Sequence, residues 1–227
     1  MSEPAVLYEA KDFIATITLN RPENRNSMTE DVFEGLRASI ARVKEDPELR
    51  CVIITGRGKS FCAGADFKTG VQRDGGATRT LLPNERSFNM YKPFLSILSI
   101  EIPVIGALQG HAIGGGFGLA VVCDIRVANR DARYGANFTR LGIHPGMATT
   151  YILPRLVGLP RAAELLFTGR IVSGAEAAAI GIVNHAVPEA EVMPRSLEPA
   201  REVASAAPIA ARWTKRPLYR DCDGDPV

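Results

Sequence analysis

The chain predicts an α/β fold, on three observations. Phe13, Ala15, Ile17 and Leu19 alternate with Ile14, Thr16 and Thr18, which is the period of a strand. Cys51–Gly56 and Val104–Leu108 are short, nearly continuous apolar runs of the kind that suits strands covered on both faces. Helix-spaced apolar residues lie between and after these runs, so strands and helices alternate along the chain.

In order along the chain, Ser27-Met28-Thr29-Glu30 reads as a capping box, a hydroxyl and a carboxylate set to satisfy the first free N–H groups of a helix. Val32, Phe33, Leu36, Ile40 and Val43 follow at helical spacing. Further strands are predicted over residues 125–128 and 182–187. Further helices are predicted over 114–123, 149–157, 161–167 and 173–180, the last capped by Gly181. Residues 70–85 are rich in Gly, Arg, Thr and Asp, without apolar periodicity, and predict a mobile loop. After Pro188 the composition turns helical, with Pro199 and Pro208 as punctuation. The expected organisation is a core over residues 1–190 and a helical segment over 191–227. Periodicity alone leaves a doubly wound sheet as the default arrangement.

The 227 residues suffice for one domain with a large core. A net charge of +2, with its basic residues scattered, argues against a nucleic-acid partner. No apolar stretch approaches the length of a membrane span. The Met1-Ser2-Glu3-Pro4 start lacks the features of a signal peptide, so a cytoplasmic location is expected. Cys51, Cys62, Cys123 and Cys222 are widely spaced and have no companion His cluster. They are expected to be free buried thiols, and no metal site is expected.

Two glycine-bearing loops carry most of the chemical information. One is Ser60-Phe61-Cys62-Ala63-Gly64-Ala65-Asp66; the other runs from Gly110 through His111 to Gly114-Gly115-Gly116-Phe117-Gly118. Each follows an apolar run and is expected to lead into a helix. Small residues there let groups approach the backbone and leave N–H groups pointing outward. Two such turns facing each other would aim a pair of donors at one developing negative charge.

With these loops, the chain resembles the crotonase, or enoyl-CoA hydratase/isomerase, family. The resemblance runs almost end to end. It includes Leu19-Asn20-Arg21-Pro22 with Asn26-Ser27-Met28, both glycine loops, Cys123-Asp124-Ile125, Leu141-Gly142-Ile143-His144-Pro145-Gly146, Leu165-Leu166-Phe167-Thr168-Gly169 and residues 178–183. It implies a spiral of β-β-α turns with a C-terminal helical segment, assembled as a homotrimer or hexamer. Family members usually continue further, so that last segment is expected to be abbreviated. The implied ligand is an acyl-CoA thioester, with coenzyme A as part of the substrate and no permanently bound cofactor.

The resemblance also implies site residues. The thioester carbonyl would meet the N–H groups of Ala65 and Gly115. Arg25, Lys59 and Lys68 match basic positions near the CoA phosphates, and Ala63, Asp66 and Phe67 would border the adenine or pantetheine. Hydratases of the family carry two glutamates that handle water and proton. Their positions hold Gly118 and Phe138 here. The aspartate of a family dehalogenase falls at Gly146, and the histidine of a family decarboxylase at Ala65. The remaining nearby groups are His144, Asn137, Arg140, Tyr134 and Tyr151, with Arg73, Asp74 and Glu85 in the 70–85 stretch. His144, Asp74 and Glu85 are the acid/base candidates; His111 reads as structural. A rival reading, the nucleotide loop of short-chain dehydrogenases, fits Gly110-x-x-x-Gly114-x-Gly116. It lacks the required Tyr-x-x-x-Lys pair and lies mid-chain. A second rival is a CoA-ester binder with little catalysis, or an atypical reaction: isomerisation, decarboxylation or thioester hydrolysis.

Overall fold

The computed structural model describes residues 3–65, 91, 92 and 94–219. These residues form two sheets. The larger has the order β1-β2-β3-β5-β7-β10 and comprises β1 (Val6–Lys11), β2 (Ile14–Leu19), β3 (Cys51–Gly56), β5 (Val104–Leu108), β7 (Ile125–Asn129) and β10 (His185–Val187). The smaller has the order β4-β6-β8-β9 and comprises β4 (Ser60–Cys62), β6 (His111–Ile113), β8 (Arg133–Gly135) and β9 (Val172–Ser173). Apart from the β1–β2 and β8–β9 pairs, neighbours are parallel. The chain therefore lays β3 in one sheet and β4 in the other, then β5 and β6, then β7 and β8. That is the spiral of β-β-α turns, and it replaces the doubly wound arrangement that periodicity alone would favour.

Burial explains the strand sequences. Every residue of β3 and β5 is buried. Side chains on a strand alternate between faces. Val52 and Ile54 join the main core, while Cys51 and Ile53 turn to a second cluster behind the larger sheet. There they meet Val192, Ala200 and Ala204 of α6 (Val192–Ser205). The C-terminal helices are thus tied to the spiral's outer face.

The remaining helices are α1 (Glu30–Glu45), α2 (Gly115–Val121), α3 (Thr149–Val157), α4 (Leu159–Thr168), α5 (Gly174–Ala179) and α7 (Pro208–Leu218). Three expectations need correction. The capping box is displaced: Thr29, not Ser27, is the N-cap of α1, and no side chain closes that cap. Ser27 Oγ instead donates to Asn24 O, and Thr29 Oγ1 bonds the Asp31 carboxylate. Pro199 lies inside α6 rather than ending a helix, whereas Pro208 opens α7 in the position where a missing N–H costs nothing. Of the predicted 182–187 strand, only His185–Val187 pairs. The 70–85 stretch lies outside the described residues. Among the described residues, no helix is long and apolar enough to cross a membrane.

Candidate active site

Both glycine turns leave strands of the smaller sheet, and they meet. β4 pairs with β6, which brings Gly64 against Gly115: a Cβ on Gly64 would stand 2.8 Å from Ile113 O and 2.9 Å from Gly115 N. Gly64 has φ +81° and Gly114 φ +56°, conformations that glycine adopts without a steric penalty. Gly116 is seated on the Cys62 backbone, where a Cβ would overlap the carbonyl. On the far side Met28 N donates to Gly64 O at 2.9 Å, and Met28 bridges to Ala65. The helix expected after the second loop begins at Gly115; a helix after the first loop would lie outside the described residues.

The N–H groups of Ala65 and Gly115 have no acceptor among the described residues. For Gly115 the reason is general, since the first N–H groups of a helix have no intrahelical partner. Two such donors on touching turns could both donate to one oxygen placed between them.

The walls are apolar. Met28 Sδ lies 2.5 Å from where a Gly115 Cβ would stand, and Phe138 Cζ lies 4.0 Å from the same point at Gly114. Met28, Phe138 and Met147 are each almost fully buried. At 118 and 138, where the resemblance puts the hydratase glutamates, the packing is specific. A Cβ at Gly118 would overlap Met147 Cβ and stand 2.6 Å from its Cγ, so Met147 fills the space a side chain at 118 would need. Phe138 is packed into the main core. Neither position offers a proton.

The other predicted residues are dispersed. Arg25 and Lys59 are exposed at the edge of the first loop, and Ala63 N donates to Arg25 O at 3.0 Å. Asp66, Phe67, Lys68, Arg73, Asp74 and Glu85 lie outside the described residues; of the rest, Ala63 is bonded to Arg25 and lies in the turn that faces Gly115, whereas Lys59 precedes β4, where its carbonyl accepts the His111 N–H. His144 is exposed, with no partner among the described residues. Tyr134 is fully buried and donates to Leu108 O and Asn129 O; burial pushes its pKa up. Tyr151 is exposed, with the Arg155 guanidinium over its ring. Arg140 donates to Thr168 O. His111 Nδ1 accepts the Arg133 N–H at 2.9 Å, as its structural reading requires. Asn137 Oδ1 lies 3.4 Å from the point where a Gly114 Cβ would be.

Cys51, Cys62 and Cys123 are buried free thiols, each pushed up to about 12 by burial, which makes them poor nucleophiles. Cys222 lies outside the described residues. Among the described residues no His, Cys, Asp and Glu cluster could hold a metal ion.

Sequence reading missed Tyr91. It is 7% exposed, and its ring lies between the Gly115 turn and the loop before α3: Cε1 is 3.4 Å from where a Gly115 Cβ would stand. Its Cζ and Oη are 2.8 and 3.0 Å from the same point at Gly146. No motif surrounds Tyr91. The one available signal was the glycine at 146, which this ring requires.

Two mainly parallel sheets wound as a spiral, with paired glycine turns at one edge, define a spiral α/β class of protein. The comparisons narrow the class. The enoyl-CoA hydratase/isomerase family profile matches residues 9–226. A putative enoyl-CoA hydratase/isomerase, YngF, of Bacillus subtilis is 36% identical, over 97% of this chain and 84% of that protein. A short-chain-enoyl-CoA hydratase of Clostridium acetobutylicum is 37% identical over the same shares. The crystal structure of an enoyl-CoA hydratase from Bacillus anthracis superposes with a TM-score of 0.84 at 34% identity, covering 94% of this chain and 82% of that one. This chain belongs to the enoyl-CoA hydratase/isomerase, or crotonase, family.

Proposed function

We propose that the protein is an enzyme that binds an acyl-CoA thioester and stabilises its enolate between the N–H groups of Ala65 and Gly115. The observation that carries this reading is the pair of touching glycine turns whose two N–H groups have no acceptor among the described residues. Backbone donors cannot be deprotonated or rotate away. Each such donor stabilises a transition state by about 3 kcal/mol. The names of the relatives support the same ligand class.

Coenzyme A enters as part of the substrate. Arg25 and Lys59, exposed beside the first loop, are suited to its phosphates, Lys59 as a compact charge on a flexible stem. Asp66, Phe67 and Lys68 follow directly in sequence and are proposed for the adenine and pantetheine. The homotrimer or hexamer and the cytoplasmic location are proposals of the same standing, resting on family resemblance.

Hydration of a simple enoyl-CoA needs groups that move a proton, and positions 118 and 138 supply none. The reaction is therefore one that depends mainly on enolate stabilisation, or a slow hydration or isomerisation. Calorimetry tests the ligand claim without a mutation. Acetyl-CoA and its thioether counterpart S-ethyl-CoA differ in the carbonyl oxygen. Two hydrogen bonds of about 1 kcal/mol each predict that acetyl-CoA binds at least tenfold tighter. Equal affinities would remove the paired-donor reading, and no affinity for either would remove the ligand class.

A further inference from the structure

The strands that carry the two glycine turns are joined by a thin ladder. β4 and β6 share two registered pairs, Ser60 with His111 and Cys62 with Ala112, and the register shifts between them. A ladder so short and irregular fixes the relative position of its strands poorly, and each displaced bond leaves a backbone group to be satisfied elsewhere. Here two side-chain carboxamides do so. Ser60 O accepts Asn26 Nδ2 at 2.7 Å and Gln109 Nε2 at 2.9 Å.

The two carboxamides come from opposite sides. Asn26 is fully buried and belongs to the side of the first turn: its Nδ2 also donates to Arg57 O at 3.0 Å, and its Oδ1 accepts Arg21 N–H at 2.8 Å. Gln109 follows β5 and immediately precedes Gly110, where the second glycine loop begins. Its own carbonyl is held by Asn129 Nδ2 at 3.0 Å. Its Nε2 also donates to Gly58 O at 3.2 Å, and its Oε1 accepts Gly56 N–H at 3.2 Å. Gly56 N–H can only donate and Ser60 O can only accept, so the amide has one workable orientation. One half-buried side chain from the strand leading into the second turn thus grips three backbone groups on the way into the first.

We propose that Gln109 is a positioning residue: its carboxamide, braced by Asn26, sets the spacing between the N–H groups of Ala65 and Gly115. The proposal rests on the paired-donor reading above. Two donors serve one oxygen only at one separation, and hydrogen bonds weaken steeply away from their preferred geometry. Gln109 acts through the turns and needs no contact with the thioester. Asn26 alone cannot set the spacing, because its three side-chain bonds stay within residues 21–60, on one side of the gap.

The test compares acetyl-CoA with S-ethyl-CoA by calorimetry, on the wild type, Gln109→Met and Gln109→Glu. Met keeps the length of the side chain and removes both hydrogen-bonding groups. Glu keeps an acceptor for Gly56 N–H but sets a carboxylate against Ser60 O and Gly58 O. Thermal unfolding checks each variant, and whichever of the two folds carries the test. The wild type is expected to prefer acetyl-CoA about tenfold, and the variants to bring that ratio to about twofold or less, with the loss on the acetyl-CoA side. A ratio that survives in the variants overturns the proposal, as does an equal weakening of both ligands, which is what a merely structural role would give; in both cases the paired-donor reading stands. A wild type without the preference overturns both.

Discussion

The glycine turns and the seat of α7 use charge in opposite ways. Around the turns the buried wall is Met28, Tyr91, Phe138 and Met147, none of them ionised at neutral pH, beside the backbone N–H groups of Ala65 and Gly115. At the seat of α7, Asp124 Oδ2 accepts the Val104 N–H at 2.6 Å and the Lys215 ammonium at 2.8 Å. Lys215 Nζ also donates to Ile102 O at 3.0 Å. Burial and the Asp124 carboxylate both push the Tyr219 phenol up. This cluster borders a cavity of about 710 Å³, lined also by Leu98, Val121, Tyr151 and Trp213. The difference teaches where ionised side chains serve this fold: they fasten a helix, while the proposed site presents backbone dipoles. A full charge beside the thioester would have to be kept in one protonation state; a backbone N–H has only one.

The largest effect expected from this contrast is on hydration. Losing a positioned acid/base group costs about a hundredfold to ten-thousandfold. Crotonyl-CoA hydration, followed by loss of enoyl absorbance, should be slower than in ordinary hydratases by at least that range. Restoring glutamates requires space as well as charge. Gly118→Glu with Phe138→Glu should stay slow, because Met147 occupies the room beside 118. Adding Met147→Gly should raise the rate. Met147 has φ +57°, so glycine there also suits the backbone. A wild type with ordinary hydratase turnover would break the contrast, since some other group would then be moving the proton.

Next comes the helix seat. Lys215 and Asp124 are only 13% and 15% exposed, so removing one partner leaves a mostly buried charge. Lys215→Met should cost about 3 kcal/mol, read from urea unfolding. Asp124→Asn with Lys215→Met should recover part of it, because no charge is then left alone. A single variant with wild-type stability would show that α7 does not depend on this pair.

Gly64→Ala sharpens the other side of the comparison. It forces a side chain into φ +81° and against two backbone atoms, Ile113 O and Gly115 N, that cannot swing aside. The strain should cost about 1–3 kcal/mol in thermal unfolding. The displaced turn should also weaken acetyl-CoA binding more than S-ethyl-CoA binding. Equal weakening of both would separate the turn's structural role from carbonyl recognition.

How far the sequence spoke depended on element length. Cys51–Gly56, Val104–Leu108 and Thr149–Val157 were readable because five to nine residues suffice to display a period or a continuous apolar run. The smaller sheet was not readable. Its strands have two or three residues, too few for any period, so both glycine loops hid a strand, Ser60–Cys62 and His111–Ile113. β1 escaped because Glu9, Ala10 and Lys11 are exposed, as an edge strand allows. At the site the two turns were legible from glycine placement, while the choice of Ala65 and Gly115 as donors came from the family resemblance. Pairwise complements did not: Met147 filling the space of Gly118, and Tyr91 that of Gly146, join positions that one sequence gives no reason to connect.

The smallest effect concerns His144, the one acid/base candidate among the described residues. It is exposed, in the loop between Leu141 and α3, with no partner among the described residues to hold its ring in one orientation. A general base must come within hydrogen-bond reach of the proton it takes, and a second group usually orients it. Neither condition is met by an unanchored surface imidazole. His144→Ala should therefore change kcat/KM for any accepted thioester by less than about twofold, in keeping with an effect well under 1 kcal/mol. A loss of a hundredfold or more would mean that this histidine reaches the thioester after all. The site would then hold a titrating side chain, and its contrast with the seat of α7 would fail.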